Sequence, residues 1–422
     1  MLIVMTLRPT AYQGSPSEFV PGAGRLLASL ARHKLLVSAV VVVLTVATTI
    51  AWHLAHDTQW IVQPIPSELS QSNLVSLSCA QSGLCVAQIG DNQLIVNDGP
   101  NGTWQLSSPV AGAGDKVLAS TCVQPSHHVF VEPVSDCIAI TQEGVYAPFQ
   151  GDSFTPNYTP LHFPALPDQS GEYSPEGGMS CSPSGGFCLM LTGLVNTSVL
   201  SSPRAITVRS DSEVAAQGLD VWQSVGRVLG TARFHPPTIP SCGANGVCMA
   251  IPSRTNGVLP NGFAWRTTDG GARWATTTSF PGEPLAISCA SAADCAVGTF
   301  LGTVEFTHDG GRTWSRSGVP GWPKQNCNQF ADSCLNPQSV SGLSCWSADA
   351  CIASTQGYGS SNGGNVPSGG IMETANGGRT WAPLSIPATM VGAVSCAGAN
   401  NCWAGGSSVV PMQETPVLLR WG

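Results

Sequence analysis

Beyond residue 58 the apolar residues come in runs of four to six, each closed by Gly, Ser, Asn or Asp. The clearest stretch reads "LAISC", a polar turn, "CAVGT", a turn, "GTVEFT", a longer turn and "WSRSG". Short runs punctuated in this way predict strands joined by hairpins. No stretch in this part sustains a 3.6-residue period, so the outer region reads as all-β. One earlier segment breaks the pattern: residues 35–52, "LLVSAVVVVLTVATTIAW", carry no charge, and Arg25, Arg32 and Lys34 precede them with no acid nearby. This predicts a transmembrane helix over 35–55 with its N-terminus inside, a cytoplasmic segment 1–34, and an extracytoplasmic domain over 58–422. A cleaved signal peptide is the alternative, with Thr49 and Ala51 as a small-x-small site.

The strands recur in units. Cysteines form close pairs of one form, "SCAQSGLC" (Cys79/Cys85), "SCGANGVC" (Cys242/Cys248), "SCASAADC" (Cys289/Cys295), "SCWSADAC" (Cys345/Cys351) and "SCAGANNC" (Cys396/Cys402). Two looser pairs, Cys122/Cys137 and Cys181/Cys188, continue the series. Steps of 43 to 61 residues between the first cysteines, with four strands per unit, fit the blades of a β-propeller, here seven. The last unit stops after "PVLLRWG" without a fourth strand, whereas "QWIVQPIP" at 59–66 matches "TWAPLSIP" at 380–387. The N-terminal segment is therefore expected to complete the last blade and close the ring, which removes an exposed sheet edge.

All 16 cysteines follow the apolar segment and none precedes it, the pattern of disulfides in an oxidising compartment. Zinc is the rival reading, but no C-x-x-C is present, and neither metal nor cofactor is expected. His127 and His128 lack a ligand-spaced acidic or His partner. Charge divides at the same place. Before residue 57 stand four Lys/Arg and one acid; from residue 57 on stand thirteen and twenty-four, leaving an exterior of −11. An acidic exterior without a basic run argues against a nucleic-acid partner.

The octapeptide "TTDGGARW" (267–274) returns as "THDGGRTW" (307–314) and "TANGGRTW" (374–381), with a degenerate "NDGPNGTW" at 97–104. It resembles the Asp-box, or bacterial neuraminidase repeat, of sialidases, sortilin-type receptors, xyloglucan-cleaving propellers and photosystem II assembly factor-like proteins. Physically it reads as the turn between third and fourth strands. Thr267, Thr307 and Thr374 open the three copies; Gly271, Gly311 and Gly378 supply positive φ. Asp269, Asp309 and Asn376 accept backbone N–H bonds within the turn, and Trp274, Trp314 and Trp381 are wedges between sheets. Asn376 preserves an acceptor but not a carboxylate, which favours a structural role over catalysis.

The resemblance implies sialidase chemistry only if three arginines surround a substrate carboxylate, one of them in an Arg-Ile-Pro motif of the opening blade. No arginine lies between Arg32 and Arg204, and Arg-Ile-Pro is absent; "PRAIT" at 203–207 is the nearest match. A glycoside hydrolase of another type needs two carboxylates across one cleft. Glu132, Asp136, Asp152, Glu172 and Glu176 are candidates, but their spacing selects no pair. No catalytic residue is assigned. The expected function is a membrane-anchored binding or scaffold module, with a carbohydrate-active hydrolase on the same fold as the alternative.

With disulfides and octapeptides at one end of the strands, insertions gather at the other: 251–262, 318–342 with a private pair Cys327/Cys334, and 355–370. Long loops on neighbouring blades suit recognition of an extracytoplasmic protein or glycan. Their anchors would be Trp322, Phe330 and Tyr358, and their polar contacts Arg254, Lys324 and Asp332.

Overall fold

The computed structural model describes residues within 60–421; outside it lie 1–59, 107–116, 123–136, 147–171, 196–207, 212–222, 225–236, 253–260, 320–338 and a number of shorter turns. The expected membrane helix thus falls outside the described residues. Among those described, no helix is long and apolar enough to cross a membrane.

Antiparallel meanders follow one another along the chain, as the alternation of apolar runs and turns requires. The first contains Leu74–Cys79, Leu84–Ile89, Gln93–Asp98 and Trp104–Leu106; the second has three described strands, Val117–Cys122, Cys137–Thr141 and Val145–Tyr146. The third comprises Gly178–Cys181, Phe187–Leu191, Val208–Asp211 and Gln223–Ser224, and the fourth Pro237–Ala244, Val247–Pro252, Trp265–Thr267 and Ala275–Thr276. The fifth is built from Pro284–Cys289, Cys295–Thr299, Thr303–Thr307 and Ser315–Gly318, as its sequence pattern predicts. The sixth is Ser339–Cys345, Cys351–Ser361, Gly364–Thr374 and Ala382–Leu384. The last joins Met390–Gly398, Asn401–Val410 and Gln413–Trp421 to the distant Trp60–Gln63, with Trp60 opposite Trp421 and Gln63 opposite Leu418. The N-terminal segment therefore does supply the fourth strand that the C-terminal unit lacks.

First strands pack side by side, each against the first strands of its neighbours, and the last against the first. This is a β-propeller arrangement. A hydrogen bond of one kind joins them: the serine before a first cysteine accepts the backbone N–H of the first cysteine in the next sheet. The pairs are Ser78–Cys122 (2.9 Å), Ser180–Cys242 (3.0 Å), Ser241–Cys289 (2.8 Å), Ser288–Cys345 (2.9 Å), Ser344–Cys396 (2.9 Å) and Ser395–Cys79 (3.0 Å). The recurring Ser-Cys dipeptide is thus both a staple within a sheet and a tie between sheets. A second regularity lies four residues earlier. The register of the first two strands shifts at Val75, Leu118, Thr238, Leu285, Ser341 and Gly392, one extra residue on the inner strand each time. Such bulges increase local twist, which suits strands that converge on an axis.

Seven disulfides join residues directly opposite in the first two strands: Cys79–Cys85, Cys122–Cys137, Cys181–Cys188, Cys242–Cys248, Cys289–Cys295, Cys345–Cys351 and Cys396–Cys402. Cys327 and Cys334 lie outside the described residues.

The apolar core lies between sheets, and tryptophans fill much of it. Trp274 joins the cluster of Phe187, Leu189 and Leu191 of the third sheet; Trp314 that of Met249 and Ile251 of the fourth sheet, with Phe280 beside it; Trp381 that of Val304 and Phe306 of the fifth sheet, with Val319 just after its last strand. Trp60 occupies the same place against Ile352 and Ile371 of the sixth sheet, and Trp104 against Trp403 and Leu418 of the last. Each is the wedge its sequence position predicts, docked on the preceding sheet. Burying an aromatic side chain contributes about 2–3 kcal/mol, so these wedges are major terms in holding adjacent sheets together.

Candidate functional site

The two ends of the sheets differ in construction. At one end the octapeptides fold into hydrogen-bonded turns. Thr307 Oγ1 donates to Asp309 Oδ1 (2.9 Å) and accepts the Gly311 N–H (2.8 Å); Asp309 Oδ1 then accepts the N–H groups of Arg312 and Thr313 (2.9 Å each). The Thr313 hydroxyl donates to Asp309 Oδ2 at 2.7 Å. The first copy repeats the scheme through Thr267, Asp269, Gly271 and Arg273. In the third, Asn376 Oδ1 accepts the Thr380 N–H (2.9 Å), and Asn376 Nδ2 donates to Thr380 Oγ1 (2.7 Å), so the same side-chain contact survives with donor and acceptor exchanged.

Glycine is required here for two reasons. Gly311 and Gly378 take φ of 84° and 78°, and a Cβ on either would run into the preceding sheet, at Thr277 and at Phe306 respectively. The close approach lets Gly311 O accept from the Thr278 N–H (3.1 Å) and Gly378 O from the Ser317 hydroxyl. The tryptophan that ends each turn answers in kind: Trp314 Nε1 donates to Thr278 O (3.1 Å) and Trp381 Nε1 to Ser317 Oγ (2.8 Å).

The turn also ties to the disulfide hairpin of its own sheet. Gly270, Gly310 and Gly377 donate to the carbonyls of Gly246, Ala293 and Asp349 at 3.0, 3.0 and 2.8 Å. Staples and octapeptides therefore do share one end. The carboxylates in these turns are held as ions. Hydrogen bonds from the Thr313 hydroxyl and N–H pull Asp309 far below the ordinary carboxylate range. For Asp269, burial acts upward but is outweighed by the Arg273 N–H, the Thr267 hydroxyl and the Arg273 charge. Carboxylates whose oxygens are engaged in backbone turns are poor candidates for proton transfer.

At this end a cleft of about 260 Å³ opens between the fifth and sixth sheets, lined by His308, Ser315, Arg316, Asp349, Asn376 and Arg379, among others. Arg316 is fixed from behind by Glu305, a carboxylate only 2% exposed, with Nε 2.8 Å from Oε1. The sequence reading passed over this pair, because a single Glu in a strand gives no periodic signal. A cross-strand Glu305/Arg316 pairing follows once the hairpin register is known.

The opposite end is built from hairpins between second and third strands. In the fifth sheet this hairpin stops at the edge of the sheet, with Gly298 opposite Val304. In the sixth, where the sequence suggested an irregular loop over 355–370, the two strands stay paired past Gln356, the last partner of the inner strand, as far as Ser361 opposite Gly364. That is five further ladder pairs, an overhang of about 16 Å at strand rise. The neighbouring last sheet does the same, continuing past Ser407 to Val410 opposite Gln413.

Of the residues expected to bind, Tyr358 falls in the sixth-sheet overhang, opposite Pro367. Arg254, Trp322, Lys324, Phe330 and Asp332 lie outside the described residues, as do the candidate acids Glu132, Asp136, Asp152 and Glu176. Glu172 is placed in a two-stranded ladder, Glu172–Tyr173 with Leu194–Val195. Among the described residues no group of His, Cys, Asp and Glu is arranged to hold a metal ion.

No protein-family model and no curated protein matches the sequence. Solved structures do match the fold. YCF48 bound to D1 peptide superposes with a TM-score of 0.54 at 11% identity, covering 87% of this chain and 98% of that one. U3-55K superposes at 0.54 and 11% identity, covering 86% and 98%, and the RRP9 WD40 repeats at 0.52 and 10% identity, covering 86% and 98%. At such identities the likeness establishes a β-propeller.

Proposed function

We propose that this chain is a seven-bladed propeller of the Asp-box type, held outside a membrane by a helix over 35–55, and that it binds or scaffolds a protein partner without catalysis of its own. Seven Cys-stapled hairpins, the return of the last inner strand to the first and the wedge position of Trp60 support the blade count and closure. The turn chemistry of Thr307, Asp309, Gly311 and Trp314 supports the Asp-box assignment.

The observation that carries the function is the pair of overhanging hairpins on adjacent sheets. Both hairpins extend their ladder beyond the last residue with which the inner strand pairs. Among the described residues, the pairs from Gly357/Ser368 to Ser361/Gly364 have no third strand. Their outward N–H and C=O groups can receive an extended peptide by strand addition. A fold neighbour, YCF48, is bound to a peptide.

Replacing residues 357–368 with a two-residue Asn-Gly turn tests the reading. The shortened protein keeps its melting temperature and loses its partner in co-purification from native membranes. Undiminished co-purification contradicts the proposal, as does turnover of a glycoside panel that disappears on replacement of a single carboxylate.

A further inference from the structure

The cleft between the fifth and sixth sheets is remote from the hairpin end, and its chemistry is unlike the rest of the exterior. From residue 57 on the sequence carries a formal charge of −11, and this notch brings together Arg316, Arg379, His308 and Asp349, with Glu305 behind Arg316 (2.8 Å) and Asp294 on His308 Nδ1 (2.9 Å). The two guanidinium groups are matched in charge by the Glu305 and Asp349 carboxylates, and His308 is paired with Asp294, so the cleft carries no excess positive charge.

Three features distinguish it from a chance grouping. The first is that an ion pair occupies the cross-strand position 305/316 in the fifth sheet alone of the three octapeptide sheets; the fourth has Trp265 opposite Thr276 and the sixth Met372 opposite Pro383. A buried carboxylate is costly there, and it holds the Arg316 guanidinium by Nε while the Arg316 side chain as a whole stays 45% exposed. The second is that, among the described residues, Arg379 has no hydrogen-bond or ion-pair partner, whereas Arg316 is held by Glu305. The third is that the corresponding place between the fourth and fifth sheets is filled: a Cβ on Gly310 would meet Arg266 Nε at 2.8 Å. Where the fourth sheet has Arg266, the fifth has Phe306, which instead packs beneath Trp381 with ring centroids 6.3 Å apart. The notch between fifth and sixth sheets is thereby left open.

We propose that this cleft binds a carboxylate group, received by Arg316 and Arg379. Planar guanidinium groups match carboxylate oxygens in pairs, and with the Glu305 and Asp349 carboxylates already present a monoanion meets less repulsion than a phosphate dianion. Asp349 beside them accepts from a hydroxyl or N–H next to that carboxylate. An acidic sugar and an acidic amino-acid residue both offer this chemistry.

The full chain in detergent micelles is titrated by saturation-transfer NMR with sodium glucuronate, with N-acetylglutamate amide and with inorganic phosphate. Saturable binding of at least one carboxylate, tighter than phosphate, is expected, and the tighter of the two carboxylates identifies the source. Arg379→Gln and Arg316→Lys each weaken it about tenfold, the second because charge survives while the fork is lost. Arg312→Gln, an exposed arginine outside the cleft, leaves it unchanged. Absence of saturable carboxylate binding, tighter binding of phosphate, or binding that survives Arg379→Gln overturns the proposal. The hairpin-shortened protein binds the carboxylate normally, so this site and the hairpin reading stand or fall separately.

Discussion

Ser395 Oγ accepts the backbone N–H of Cys79 at 3.0 Å, across 316 residues of chain. It is the same bond that Ser344 makes to Cys396 one sheet earlier, so the ends of the chain meet by the device that joins consecutive sheets. Ser395→Ala leaves a partly buried N–H without its acceptor and is expected to cost about 1–2 kcal/mol in denaturant unfolding. Ser344→Ala should cost about the same, since the geometry is the same. A closing bond that proves neutral while Ser344→Ala is costly would mean that the first and last sheets are not joined in solution.

The octapeptide carboxylates are acceptors, which Asn376 shows by replacement. Asp309→Asn should therefore lower the melting temperature only modestly, by loss of the charge, and Asp309→Ala should lower it further, because the N–H groups of Arg312 and Thr313 also lose their acceptor. Equal losses from the Asn and Ala variants would show that negative charge, and not the acceptor, is what the turn needs.

Acid sensitivity follows from the same side chains. Asp309 and Asp269 ionise at lower pH folded than unfolded, so the unfolded chain binds more protons as pH falls. Their contribution is complete above the unfolded value of 3.8 and is lost progressively below it. Melting temperature should fall steeply below about pH 4 in the parent, with a shallower slope in an Asp269→Asn/Asp309→Asn variant. Parallel slopes for the two proteins would contradict the assignment.

Two tryptophans in equivalent wedge positions differ in one bond. Trp381 Nε1 donates to Ser317 Oγ, whereas Trp60 Nε1 is buried without an acceptor among the described residues, Leu384 standing on the sixth sheet where the fifth has Ser317. Trp381→Phe should thus be more destabilising than Trp60→Phe by about 1 kcal/mol in chemical denaturation. The reverse order would show that ring volume alone decides the cost.

Much of this fold was legible because its signals are local and repeated. "SCASAADC" and "THDGGRTW" each fix a hairpin, and their recurrence gives the repeat without any knowledge of contacts. Closure was legible for the same reason, since Trp60 and Trp381 stand in matching contexts. The Ser-Cys belt was visible as a recurring dipeptide, but its partner is the next sheet, so its meaning needed the three-dimensional stacking. The bulge four residues before six of the first cysteines has no residue type in common, from Val75 to Gly392, and it reflects a backbone constraint. The overhang at 357–368 was misread as a loop because Gly, Ser and Asn are turn formers by propensity; a long antiparallel ladder overrides that preference. The cleft was hidden because Glu305, Arg316 and Arg379 come together only through pairing and packing.

Site-specific photocrosslinking in the native membrane tests the central claim most directly. A photoreactive residue is placed at Tyr358 or Asn365 on the overhang, or at Arg312 or Thr313 on the octapeptide end. The account predicts one discrete protein adduct from the overhang positions, competed by unlabelled ectodomain, and none from the octapeptide positions. Adducts formed only from Arg312 or Thr313 would contradict it.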